Sequence, residues 1–195
     1  MTSDIIRIAV IGPESTGKST LCEKLATHFG TLWVSEYART FLQGNGKEYK
    51  QEDLLTIAKG QIREEEETIQ KLHSLASEKA KLNNHAKSTN GKQLLFVDTD
   101  LHVIRIWSEY VFNFCDRFIL DHIAGNRYDH YLLCEPDVEW VNDNLREHPD
   151  SSIRMKLYHH YKDAMVQHGY AWTNINGNYA ERERIAIAAV NKLLQ

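Results

Sequence analysis

The chain has little of what would mark several classes of protein. Cysteine occurs three times in 195 residues, at Cys22, Cys115 and Cys134. An odd, scattered set excludes a disulfide framework and reads as reduced, partly buried thiols of a cytoplasmic protein. Proline also occurs three times, at Pro13, Pro136 and Pro149, each between apolar runs and so expected in a loop. No apolar run is long enough to cross a membrane, and Met1–Asp4 passes directly into the first apolar run, which argues against a signal peptide or membrane anchor. Basic residues are in deficit: 23 Lys and Arg against 27 Asp and Glu give a net charge of −4, where a nucleic-acid partner demands a basic surplus on one face. The 10 histidines include no Cys/His cluster at zinc-ligand spacing, and the adjacent His159 and His160 fall in a helical pattern as solvated or core residues. An Asn-Lys-x-Asp guanine-specificity motif is missing too, which argues against a GTPase.

What is present is a series of apolar, β-rich runs separated by helical patterns: Ile5–Ile11, Thr31–Ser35, Leu94–Val97, His130–Cys134 and Tyr170–Ile175. Wide spacing with helices between is the signature of a parallel α/β sheet, and the near-continuous apolar character of three runs suits strands covered on both faces. A long helix is expected from about Gln51 to Leu82, with Leu54, Leu55, Ile57, Ala58, Ile62, Ile69, Leu72 and Leu75 as its apolar stripe. Its Glu64–Glu67 run reads as a solvated face, and the polar stretch Asn83–Lys92 as a loop. With no composition break or repeat, residues 1–195 are expected to form a single domain.

The segment Gly12-Pro13-Glu14-Ser15-Thr16-Gly17-Lys18-Ser19-Thr20 fits the phosphate-binding pattern G-x-x-x-x-G-K-[ST], between a strand and an amphipathic helix running from Lys18 to about Phe29. Its glycines permit the turn that points successive N–H groups at an anion, Lys18 reaches the β- and γ-phosphates, and the Ser19 hydroxyl is placed to ligate Mg²⁺. The helix dipole favours the same anion. ATP and Mg²⁺ are therefore the expected cofactors.

Other candidates follow from position. Asp98 ends an apolar strand, Leu94–Val97, in the manner of a Walker B carboxylate that holds Mg²⁺ through water. Asp100 can support the metal or the acceptor hydroxyl, or simply cap the next helix. Glu36 follows the second strand at the carboxyl edge of the sheet, where it can accept ribose hydroxyls or the proton of an attacking hydroxyl, and Arg39 shares a helical face with it. Arg146 and Arg154 lie in and after a loop suited to a lid over about 136–154, where a planar guanidinium matches phosphate oxygens. Trp107 and Trp140 are candidates to stack on a flat heterocycle or to fill the core. The loop around Asn176 follows the fifth strand, where adenine would lie.

In order along the chain, Gly12 to Leu21, Glu36-Tyr37-Ala38-Arg39, Asp98-Thr99-Asp100, Tyr128-Asp129 and the segment Trp140–Arg146 resemble the ribosylnicotinamide kinase domain of NadR-type bacterial NAD-biosynthesis proteins. The resemblance implies a P-loop NTPase three-layer α/β/α fold with a five-stranded parallel sheet and a lid. It implies transfer of the ATP γ-phosphoryl group to the 5′-hydroxyl of nicotinamide riboside, giving nicotinamide mononucleotide. Glu36, Tyr37, Arg39, Asp100, Trp107, Trp140 and Asp143 are then the expected substrate contacts, with Glu36, Asp98 or Asp100 as base. In one departure Asn144 stands where the family has glycine in Trp-Val-x-Asp-Gly-x-Arg, and Asn is the residue next best able to take a left-handed backbone there. The adenylyltransferase and helix-turn-helix parts of the bifunctional proteins are absent from this sequence, so neither NAD synthesis from the mononucleotide nor operator binding is expected of it. The alternatives are a kinase for another nucleoside or nucleotide, and a regulatory ATPase without a metabolite acceptor.

Overall fold

A computed structural model describes residues 5–46, 48–82, 92–146 and 149–195. Met1–Asp4, most of the loop expected at Asn83–Lys92, and positions 147–148 of the expected lid lie outside the described residues. Five strands, β1 (Ile5–Ile11), β2 (Leu32–Val34), β3 (Gln93–Asp98), β4 (His130–Cys134) and β5 (Trp172–Ile175), form one all-parallel sheet in the order β2-β3-β1-β4-β5. Helices α1 (Lys18–Phe29), α2 (Tyr37–Asn45), α3 (Gln51–Leu82), α4 (Leu101–Phe112), α5 (Arg117–Gly125), α6 (Ser151–Gln167) and α7 (Tyr179–Leu193) cover both faces. This is the three-layer α/β fold expected from the strand spacing.

The two-residue period of β1 explains the layering. Ile6, Ile8 and Val10 pack with Leu21, Cys22 and Leu25 of α1 and Ala186 and Val190 of α7. Ala9 and Ile11 point the other way, to Ile106 of α4 and Leu157, Tyr161 and Met165 of α6. A third cluster joins α3, α4 and α5 through Leu54, Ile57, Ala58, Leu101, Ile104 and Ile119. All five residues of β4 are buried, as befits a central strand.

The sheet order fixes the functional edge. β1 lies between β3 and β4, and the chain leaves β1 for α1, on the way to β2, at the point where connections diverge to opposite sides. Such a switch point opens a crevice at the carboxyl ends of the strands. Gly12 makes the turn there at φ 142°, and a Cβ on it would sit 2.5 Å from the Cys134 carbonyl oxygen, so no other residue allows β1 and β4 to end side by side.

α3 departs from its expected stripe. Its buried positions include Gln61, Glu65 and Thr68 alongside Leu54, Ile57, Ala58 and Leu72, whereas Leu75 is exposed. Glu65, expected on a solvated face, is turned inward, where its carboxylate receives Arg7 at 3.3 Å and the Tyr128 hydroxyl at 2.6 Å. A buried carboxylate needs such partners, and two are supplied. Cys22, Cys115 and Cys134 are free thiols, His159 and His160 are exposed, and no helix among the described residues is long and apolar enough to cross a membrane.

Gly60, inside α3, lets α2 dock. A Cβ there would lie 2.1 Å from Cε1 of Tyr37, so the ring rests directly on the helix backbone. Gly60→Ala should therefore destabilise the protein by about 1–2 kcal/mol, overpacking outweighing a propensity gain of up to about 1 kcal/mol. In a Tyr37→Ala background the clash is gone, and the same substitution should become stabilising. Denaturant unfolding of the four proteins of this double-mutant cycle checks the change of sign.

Candidate active site

α1 begins on Gly17, which is in the left-handed conformation, and no side chain caps it. The helices α4, α5, α6 and α7, by contrast, are capped by Asp100, Asp116, Asp150 and Asn178. An uncapped first turn preceded by a glycine turn presents backbone N–H groups to an anion. Around it opens a cleft of about 520 Å³. Gly12, Glu14, Ser15, Thr16, Gly17, Lys18, Ser19 and Thr20 form one wall of that cleft. Glu36, Arg39, Asp98, Trp107 and Arg146 line it too, with Trp33, Tyr49 and Tyr161 adding aromatic surface that the sequence reading did not single out.

Within the loop, Lys18 Nζ donates to the Pro13 carbonyl at 3.0 Å and Thr16 Oγ1 to the same oxygen at 2.8 Å. Asp98 stands opposite, at the end of β3 beside Val10 of β1, almost fully buried. Burial, and then the Glu36 carboxylate, push its pKa up to about 6, while Lys18 and hydrogen bonds from Ser19 and Thr99 pull it back. Asp98 Oδ2 has no hydrogen-bond partner. An orphaned carboxylate oxygen beside the Ser19 hydroxyl fits a hard cation that keeps most of its water, and no group of three or more His, Cys, Asp and Glu residues competes for a metal among the described residues. Thr99, next in sequence, adopts φ 71° although β-branched, a strained state costing about 1–3 kcal/mol; its N–H donates to the Val10 carbonyl at 3.1 Å.

Asp100 is placed differently from Asp98. Its Oδ1 accepts the N–H groups of His102 at 3.0 Å and Val103 at 3.3 Å, capping α4. It faces a small cavity of about 70 Å³ shared with Arg7, Glu65 and Tyr128, outside the main cleft. The alternative of a helix cap is the one the structure adopts. Tyr37 likewise turns away from the cleft onto Gly60, and its N–H donates to Gln61 Oε1 at 2.8 Å. Arg39 does not pair with Glu36, which precedes α2 in extended conformation; it pairs with Asp143 across the cleft mouth at 2.5 Å.

Residues 136–146 of the expected lid are irregular chain and docked, and residues 151–154 belong to α6. The Val141 N–H donates to Ser15 Oγ at 2.9 Å, and Arg146 Nη1 reaches the same oxygen at 3.3 Å. Asp143 accepts the Leu145 N–H, which together with Arg39 holds its carboxyl below the usual range. Asn144 turns without left-handed backbone, for Ser15, Thr99 and Asn113 are the non-glycine residues at positive φ among those described. Trp140 is outside the cleft wall: the guanidinium groups of Arg146 and Arg154 lie over its ring, at 5.8 and 5.4 Å from the centroid. Arg154 is 5% exposed, with Nε and Nη1 unpartnered. Asn176 lies in the exposed turn before α7.

Two residues that the sequence reading missed hold this arrangement. Gln61 reaches from α3 to the carbonyls of Ser35 and Asp98, both at 3.4 Å, between the two carboxylate-bearing segments. Arg182 of α7 is 3% exposed and donates to the carbonyls of Gly177, Thr16 and Glu135. Both are polar residues in phase with a buried helical stripe, and that phase was a usable signal.

A family model described as AAA domain matches residues 7–182. The trifunctional NAD biosynthesis/regulator protein NadR of Salmonella typhimurium strain LT2 is 27% identical over 155 residues, covering 77% of this chain and 33% of that protein. The Escherichia coli K12 protein of the same name is 27% identical over 143 residues, covering 71% of this chain and 30% of that protein. The chain thus spans about a third of the length of the curated relatives it matches. Among solved structures, NadR in complex with NR superposes with a TM-score of 0.68 at 20% identity, over 98% of this chain and 49% of that one. Thymidylate kinase from Ehrlichia chaffeensis superposes with a TM-score of 0.59 at 12% identity, over 98% of this chain and 100% of that one. These comparisons return the resemblance read from the motifs and the P-loop kinase fold.

Burial raises the Asp100 pKa from 3.8 to about 7, its two capping N–H groups opposing the shift. Below pH 3.8 the carboxyl is neutral folded or unfolded and adds nothing. As pH rises towards 7 the unfolded chain releases a proton that the folded protein retains, so stability is progressively lost. Asn caps as well as Asp does. The Tm of Asp100→Asn relative to that of the unsubstituted protein should therefore rise by several degrees between pH 5 and pH 8. Calorimetry at the two pH values reads this out.

Proposed function

The chain belongs to the AAA domain family, and we propose that it is a small-molecule kinase that transfers the γ-phosphoryl group of ATP, with Mg²⁺, to the 5′-hydroxyl of nicotinamide riboside. One observation carries this reading. Trp33, Tyr49 and Trp107, together with Glu36 and Asp98, line the same cleft as the phosphate-binding loop, so aromatic faces and carboxylates stand in one cavity with the anion site. Aromatic faces with carboxylates suit a flat cationic ring. The NadR structure in complex with NR, and the NadR structure in complex with NAD and AMP-PNP, support the same acceptor and donor.

In this reading the amides of residues 14–19 bind the β-phosphate, and Lys18 exchanges the Pro13 carbonyl for phosphate oxygens. Ser19 and Asp98 would hold Mg²⁺, which supplies charge neutralisation on the phosphates. Glu36, half-buried on the acceptor side, orients the 5′-hydroxyl and takes its proton as the phosphoryl group moves in line. Asp100, already committed to its cap, takes no part. Arg146, with Arg154 also against the Trp140 ring, brings positive charge over the loop as the lid stays down on Ser15. The work is positioning plus electrostatics. A kinase for another nucleoside or nucleotide is the second reading, favoured by the likeness to thymidylate kinase along the whole of that chain.

The test is turnover of Mg²⁺-ATP across a panel of nucleosides and nucleotides, products identified by mass. Nicotinamide mononucleotide should form faster than any other product. A different preferred acceptor would select the second reading, and ATP hydrolysis stimulated by none would point to a regulatory ATPase. Glu36→Gln should lower kcat/KM for the acceptor roughly 10²-fold while leaving the Kd for ATP within about twofold, and Lys18→Ala should abolish turnover.

A further inference from the structure

Arg182 projects from the first turns of α7 into the interior, 3% exposed, and its hydrogen bonds run to three separate segments of the chain. Nε donates to the Gly177 carbonyl at 2.8 Å, Nη1 to the Thr16 carbonyl at 3.1 Å, and Nη2 to the Glu135 carbonyl at 2.7 Å and to Asp137 Oδ1. Asp137 Oδ2 in turn accepts the Gly177 N–H at 2.6 Å. One guanidinium therefore fastens the phosphate-binding loop, the end of β4 where the lid begins, and the turn between β5 and α7.

We propose that Arg182 is a positioning residue for nucleotide phosphate: by holding the Thr16 carbonyl outward, it aims the Gly17 N–H into the anion site. The peptide plane supplies the lever. In a trans peptide the C=O of one residue and the N–H of the next point in opposite directions. No described peptide bond is cis. The Thr16–Gly17 peptide, with its oxygen on Arg182, thus presents its hydrogen to the opposite side, where the uncapped start of α1 faces the cleft. Glycine's freedom at position 17 would otherwise let this plane rotate, and a rotated plane would aim a carbonyl oxygen at an anion. Arginine suits the task because its rigid fork serves several acceptors at fixed angles, which the single ammonium of lysine does not. The burial cost of the guanidinium is offset by Asp137 and three carbonyls.

This inference rests on the ATP-binding half of the proposed function, and the experiment separates the two. The Kd for ATP is measured by titration calorimetry for the unsubstituted protein, Arg182→Lys, Arg182→Gln and Asp137→Asn, together with Tm and the KM of the acceptor at saturating ATP. Arg182→Gln removes the buried charge as well as the fork, so one of the two Arg182 variants remains a folded reagent. Both should weaken ATP binding about tenfold or more while the acceptor KM stays within about twofold, a split that loss of packing alone would not give. Asp137→Asn leaves the Thr16 bond in place and should bind ATP within about threefold of the unsubstituted protein. Unchanged ATP binding in the Arg182 variants, equal weakening of donor and acceptor, or an Asp137→Asn defect as large as theirs would overturn the inference. Failure of the unsubstituted protein to bind ATP would overturn the functional reading, and this inference with it.

Discussion

A helix that starts without a side-chain cap leaves its first N–H groups to whatever lies in front of them, and at α1 that is a cleft. Desolvating those donors without a partner is costly, so the surroundings must admit either water or an anion. Much of the remaining architecture serves this one requirement. β1 and β4 end together because Gly12 permits it; the docked segment before α6 brings Arg146 to the cleft; β3 ends in a carboxylate beside the loop. The donors are therefore faced by acid and flanked by base, a field that opposes free carboxylate and welcomes phosphate carrying its own cation.

The carboxylates illustrate how context separates chemically identical groups. Asp98 and Asp100 are two residues apart, both buried and both raised in pKa chiefly by burial. Asp98 keeps an oxygen without a partner, whereas Asp100 spends one oxygen on two backbone N–H groups of α4. In a regular strand residues two apart share a face, and the left-handed backbone of Thr99 between them breaks that alternation, so the two carboxylates diverge. Strain kept at a buried threonine is tolerated where the surrounding sheet over-determines it, and β1 does so through Val10.

The fold was legible because its signals are local and repeated. All five apolar runs are strands, and α1 and α3 have the expected bounds. The phosphate-binding loop was equally clear, since its residues are contiguous. Legibility failed where a side chain's direction depends on a partner far away in sequence. Tyr37 and Trp140 were expected towards substrate, yet Gly60 claims the first and two guanidinium groups overlie the second. Arg39 was read with its neighbour Glu36, but pairs with Asp143, 104 residues on. Glu65 shows the reverse error, a polar residue in phase with a buried stripe read as surface, and Gln61 and Arg182, in phase with such stripes too, were passed over although the stripe's geometry already required them to be inside.

Three of the four acceptors around Arg182 are main-chain carbonyls, at Thr16, Glu135 and Gly177. A backbone oxygen is the same whatever side chain its residue carries. Those three positions can drift under other pressures without releasing the guanidinium, and position 182 is left to bear the whole constraint. Correlated change between paired sites, the usual trace of a long-range contact in a set of sequences, will therefore be faint at those three positions and confined to the pairing of Arg182 with Asp137.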